Sequence, residues 1–174
     1  IGALDALTSG TNNVALGHNA GTSITTGVYN NIIGGSAGDA LTSGTNNVAI
    51  GTFALTNEDE HGSNVAIGMK ALQNQNAGTD AHNVAVGNDS GKNTTTGTFN
   101  TLVGSFAGDN LTTGSRNVAI GYLALSNYFV TFCILYWYVK TAINLLYFFF
   151  YLKLMLIGTI RYAFIAYRNS LYQF

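Results

Sequence analysis

The hexapeptide NNVAIG at residues 46–51 decides the fold of this 174-residue chain, because variants of it return at a fixed interval. They are NNVALG (12–17), NNIIG (30–34), SNVAIG (63–68), HNVAVG (82–87), NTLVG (100–104) and RNVAIG (116–121). Aligned on the last residue, they place anchor glycines at Gly17, Gly34, Gly51, Gly68, Gly87, Gly104 and Gly121, in steps of 17, 17, 17, 19, 17 and 17 residues. Asn stands four residues before every anchor, at Asn13, Asn30, Asn47, Asn64, Asn83, Asn100 and Asn117. A branched aliphatic residue stands immediately before each anchor: Leu16, Ile33, Ile50, Ile67, Val86, Val103 and Ile120. Ala or Ser follows three residues later, from Ala20 to Ala124, and five copies carry Gly seven residues ahead (Gly10, Gly27, Gly44, Gly97, Gly114). Residues 17–57 and 87–127 agree at 21 of 41 positions, which points to duplication of a four-copy block. Ile1-Gly2 reads as the remnant of an earlier copy, so the chain is expected to be a piece of a longer protein.

Each 17-residue unit holds two short β-like stretches separated by Gly, Asn and Ser, with no helical stripe. Such a unit is too short for a helix pair and cannot bury a face alone. Stacking solves both problems if each copy is one coil of a parallel β-solenoid, bonded to its neighbours at about 4.8 Å, for a rod roughly 34 Å long. The expected fold class is therefore all-β: a parallel β-solenoid of about 17-residue coils, about eight of them over residues 1–127. The aliphatic residue before each Gly is expected to form an inward ladder, the Gly to supply a positive-φ corner, and the Asn ladder to bind turn backbone and its own copies. Where the third residue before Gly is polar (Asn31, Thr101), the next is large and apolar (Ile32, Leu102), as if volume were conserved within the coil. A coil this small encloses a thin core. That argues for lateral association with neighbouring chains.

Composition divides the chain at Ser126-Asn127-Tyr128. Residues 1–127 hold 20 of the 21 Gly, all eight acids and three basic residues; residues 128–174 hold no acid, four basic residues, the single Cys133 and 16 of the 21 aromatics. The net charge of −1 gives no electrostatic reason to expect nucleic acid, and one Cys excludes a disulfide-stapled domain. The apolar runs in 128–174 are about 7 to 12 residues long, shorter than the ~20 that span a bilayer, and merging two leaves Lys140 or Lys153 inside. A membrane segment and an out-of-frame translation of AT-rich DNA both fit this tail.

The recurring N-V-A-I-G-x-x-A with TTG or TSG spacers resembles the YadA-like head repeats of trimeric autotransporter adhesins, a left-handed parallel β-roll. It is still more similar to the NTAIG-type repeats of bacteriophage tail fibres, since 17 residues exceeds the period usual in autotransporter heads. The resemblance covers residues 1 to about 127. It implies a homotrimeric, extracellular fibre segment on a bacterial cell surface or virion, attaching to a host surface glycan or protein receptor.

Candidate chemistry is sparse. Glu58-Asp59-Glu60-His61 is the densest charge in the repeats, and the following 19-residue unit brings Asp80 to the same distance from its anchor as His61. The two loops are expected side by side, as a divalent-cation site or a receptor-facing bump; a solvated loop that tolerates insertion is the favoured reading. Thr and Ser pairs (Thr8-Ser9, Thr25-Thr26, Thr42-Ser43, Thr95-Thr96, Thr112-Thr113) suggest a solvent-facing strand, with ice or glycan binding as the sharper alternative. His18, His61 and His82 lack ligand spacing, and no nucleophile elbow or phosphate-cradling loop appears. No catalytic residue and no cofactor are expected. A polysaccharide-active enzyme on a solenoid is the rival class.

Overall fold

In the computed structural model, which describes residues 2–126, each repeat contributes one three-residue strand. These are β1 (Val14–Leu16), β2 (Asn31–Ile33), β3 (Val48–Ile50), β4 (Val65–Ile67), β5 (Val84–Val86), β6 (Thr101–Val103) and β7 (Val118–Ile120). They form one parallel sheet in strict chain order. Val48 pairs with Val65 at a 17-residue offset, and Val65 with Val84 at the single 19-residue offset. The sheet absorbs no slip at the long unit. The extra length sits in the exposed stretch 78–80, where Gly78 has open space around it. Residues 2–126 are thus an all-β parallel β-solenoid of about 17-residue coils. The tail readings for residues 128–174 fall outside the described residues.

Backbone pairing continues beyond the strands. Gly21 N–H donates to the Ala37 carbonyl at 2.9 Å, Gly38 N–H to Ala54 at 2.9 Å and Thr25 N–H to Thr42 at 2.9 Å. Coil-on-coil bonding at the corners satisfies main-chain groups that a 17-residue loop would otherwise leave unpaired. The anchor glycine serves the same stacking. Gly51 has φ 130°, and a Cβ there would lie 2.5 Å from the Gly68 carbonyl oxygen of the next coil.

The inward ladder is not the one expected. Side chains alternate along a strand, so only one face of a three-residue strand can bury its central residue. Here the centre points in: Ile32, Ala49, Ala66, Ala85, Leu102 and Ala119 are buried. The aliphatic residues before each Gly point out with their partners two residues earlier, so Leu16 is 67% and Ile120 70% exposed. The interior is completed by Ala20, Ala37, Ala54, Ala71 and Ala107, and by Ile24, Leu41, Leu55 and Leu72.

This face assignment changes the volume argument. Asn31 and Thr101 stand outside while Ile32 and Leu102 stand inside, so the two do not exchange space. Room for the large residue comes from a glycine in the following turn. A Cβ on Gly38 would lie 3.1 Å from Ile32 Cδ1, and one on Gly108 would lie 2.8 Å from Leu102 Cδ2.

Candidate functional site

The asparagine column is the polar spine. Asn47 N–H donates to Asn30 Oδ1 at 3.0 Å, Asn64 N–H to Asn47 Oδ1 at 3.1 Å and Asn100 N–H to Asn83 Oδ1 at 2.8 Å. The side-chain amides of Asn13 to Asn100 also donate to a backbone carbonyl, as Asn30 Nδ2 does to Gly44 (2.8 Å) and Asn83 Nδ2 to Gly97 (2.7 Å). The carboxamide carries its acceptor oxygen and its NH₂ donors on separate atoms of one short side chain, so it closes both needs at one site. A second column, on the surface, runs Asn57, Asn74, Asn93, Asn110, with amide-to-carbonyl links of 3.0, 3.2 and 3.3 Å. All four stand six residues after an anchor, a signal the sequence offered and the repeat reading passed over.

The position seven residues after each anchor is more consequential. It holds Ile24, Leu41, Glu58, Gln75, Thr94 and Leu111, and the first five are buried. Three consecutive coils therefore place polar side chains where their neighbours place aliphatic ones. Glu58 Oε2, Gln75 Nε2 and Thr94 Oγ1 are buried without a hydrogen-bond partner. Glu58 thus belongs to the interior, contrary to the expectation of a wholly solvated charge run. Its side chain is 0% exposed.

Around Glu58 the acidic corner takes definite form. Glu58 Oε1 accepts the His61 N–H at 3.3 Å and lies 3.7 Å from His61 Nδ1. Asp59 Oδ1 accepts the Glu60 N–H at 2.7 Å. Across the coil boundary, Asp80 Oδ1 accepts the Gly62 N–H at 2.9 Å, and Ala81 N–H donates to the Gly62 carbonyl at 3.2 Å. The two loops therefore lie side by side. Ligand atoms of Glu58, Asp59 and His61 fall within 4.8 Å of one another, while Glu60 is exposed and takes no part in that group. Burial pushes the Glu58 carboxyl up to about 7; the His61 N–H opposes this, and the charges of Asp59 and Asp80 add to it.

The first residue of the Thr/Ser pairs is tied to the next coil: Thr25 Oγ1 donates to the Thr42 carbonyl (3.3 Å), Thr42 Oγ1 to Asp59 (3.1 Å) and Thr95 Oγ1 to Thr112 (3.2 Å), while the second residues Thr26, Ser43 and Thr96 are exposed. On another edge His82 stacks on Phe99 at 5.1 Å between ring centroids, with the Arg116 guanidinium 5.9 Å over the same Phe99 ring.

The outer face of the sheet is apolar at most of its positions. Val48, Ile50, Val65, Ile67, Val84 and Val86 are half-buried by their neighbours in the sheet alone, and the terminal strands are barer, with Val14 52% and Val118 71% exposed. Parallel sheets are ordinarily covered on both faces. No family model, curated protein or solved structure matches the chain.

Proposed function

We propose that residues 1–127 form a structural and adhesive fibre segment, a homotrimer displayed on a bacterial cell surface or virion. It attaches to a host cell through a surface glycan or protein receptor. The resemblance to YadA-like head repeats and to NTAIG-type tail-fibre repeats supplies the adhesive role and the number three. One structural observation supports the assembly: the outer sheet face carries Val or Ile on both flanks of four of the seven strands, β3, β4, β5 and β7, with no layer over it among the described residues. A partner for that face must present apolar side chains at the same ~4.8 Å spacing, and a second copy of the chain does so. Closed rotational symmetry lets the same ladder serve all copies. The role requires no catalytic group.

The test is the solution mass of the full chain by light scattering, beside an Ile67→Asp variant. Three times the 18.4 kDa chain mass, reduced to a single chain by the substitution, agrees with the reading, and binding to glycan arrays then follows as the adhesive test. A stable folded monomer of the unaltered chain contradicts it and returns the enzyme and ice-binding readings to consideration.

A further inference from the structure

The Glu58 corner carries an inference independent of adhesion. Three acids meet there, Glu58, Asp59 and Asp80, and among the described residues no Lys or Arg pairs with any of them; the ion pairs are His61 with Glu58 and Lys92 with Asp89. A fully buried Glu with an unpartnered carboxylate oxygen, between Leu41 and Gln75 in the column, is costly whether ionised or neutral, since a protonated Oε2 would need an acceptor as the ionised one needs a donor. His61 Nδ1 is likewise buried and without a partner. A cation between these two atoms removes both penalties.

We propose that Glu58, Asp59 and His61 form a binding site for a divalent transition-metal ion of the Zn²⁺ class. The donor set fits that class: one imidazole nitrogen with carboxylate oxygens suits a borderline ion, whereas Ca²⁺ takes six to eight oxygens. The carboxylates are pre-oriented. Each holds one oxygen on a backbone N–H of its own loop, Glu58 on His61 and Asp59 on Glu60, which leaves the other oxygen for a ligand. This is how outer hydrogen bonds aim metal ligands. One ligand atom from each of Glu58, Asp59 and His61 lies within 4.8 Å of the other two, against the roughly 3.4 Å edge of a tetrahedron built on ~2.1 Å bonds, so side-chain rotation closes the remaining distance. Three protein donors leave a fourth position for water or Asp80. With Asp80 in that fourth position, the ion joins this coil to the long unit beside it.

Isothermal titration of the full chain with Zn²⁺ at neutral pH tests this, alongside His61→Ala, Asp59→Asn and Glu60→Gln. The expected result is one high-affinity Zn²⁺ per chain, weakened on the order of tenfold or more by each of the first two changes and unaltered by the third. Co²⁺ in the same site should give the visible absorption of a low-coordinate ion, lost in His61→Ala. Absence of stoichiometric binding, a smaller loss in either ligand variant, or equal affinity for Ca²⁺ overturns the proposal. His61 and Asp59 are partly exposed, so both variants are expected to fold; Glu58→Gln is a supplementary variant, and circular dichroism reports on all of them.

Discussion

At the scale of single residues, the solenoid tolerates polar groups in its core only at a cost that can be read out. Glu58 has a folded-state pKa of about 7 against an ordinary value of 4.5, so between those limits the folded chain binds more protons than the unfolded one. Stability therefore falls as pH rises through that window and levels off above it. With a chelator present, the melting temperature is expected to be higher at pH 5 than at pH 7, and Glu58→Gln should abolish most of the difference. Glycine offers a second residue-scale test. Gly51→Ala puts a Cβ 2.5 Å from the Gly68 carbonyl at φ 130°, whereas Gly78→Ala meets nothing within 4 Å at φ 69°. The first should cost about 3 kcal/mol or more and the second about 1 kcal/mol in urea unfolding. Backbone collision separates the two, because both pay for positive φ.

At the scale of the element, three-residue strands are too short to stand by pairing alone. They persist because the coil continues its backbone bonds around the corners and because the Asn column joins consecutive turns. Asn83 shows how much rests on one carboxamide: it accepts from Asn100 N–H at 2.8 Å and donates to the Gly97 carbonyl at 2.7 Å and to Gln75 Oε1 at 2.8 Å. Asn83→Ala leaves these buried partners unmatched, and a loss of about 2–4 kcal/mol is expected in denaturant unfolding. Asn57→Ala in the surface column should change stability by about 0.5 kcal/mol or less, since water replaces the lost bond. Comparable costs at the two sites would show that burial does not separate the two columns.

For the whole molecule, the decisive asymmetry is between the two faces of one sheet. The inner face is covered by the rest of each coil with Ala and a few large residues, and the outer face carries Val and Ile into solvent. In the proposed trimer, burial of those side chains by further copies would stabilise folding by mass action. The melting temperature should accordingly rise with chain concentration, and become independent of it in Ile67→Asp. Scanning calorimetry over a hundredfold concentration range checks this. A concentration-independent transition in the unaltered chain would mean that a single copy suffices for the stability of the coil.

The period, the anchor glycines and the parallel solenoid were legible in the sequence, because stacking identical units demands the same residue at the same offset in every coil. The Glu58 loop and its closeness to Asp80 were also legible, from their offsets to the anchors. Which face of each strand points inward was not. Val-Ala-Ile alternates equally well in either sense, and the pattern alone favoured burying the larger residues. Tertiary structure reversed that: a 17-residue coil has room for Ala at the strand centre, and for Ile32 or Leu102 only where Gly38 or Gly108 yields the space. The same closure carried Glu58 from an apparent surface charge run into the column of Ile24 and Leu41, since a side chain's burial depends on where the coil turns.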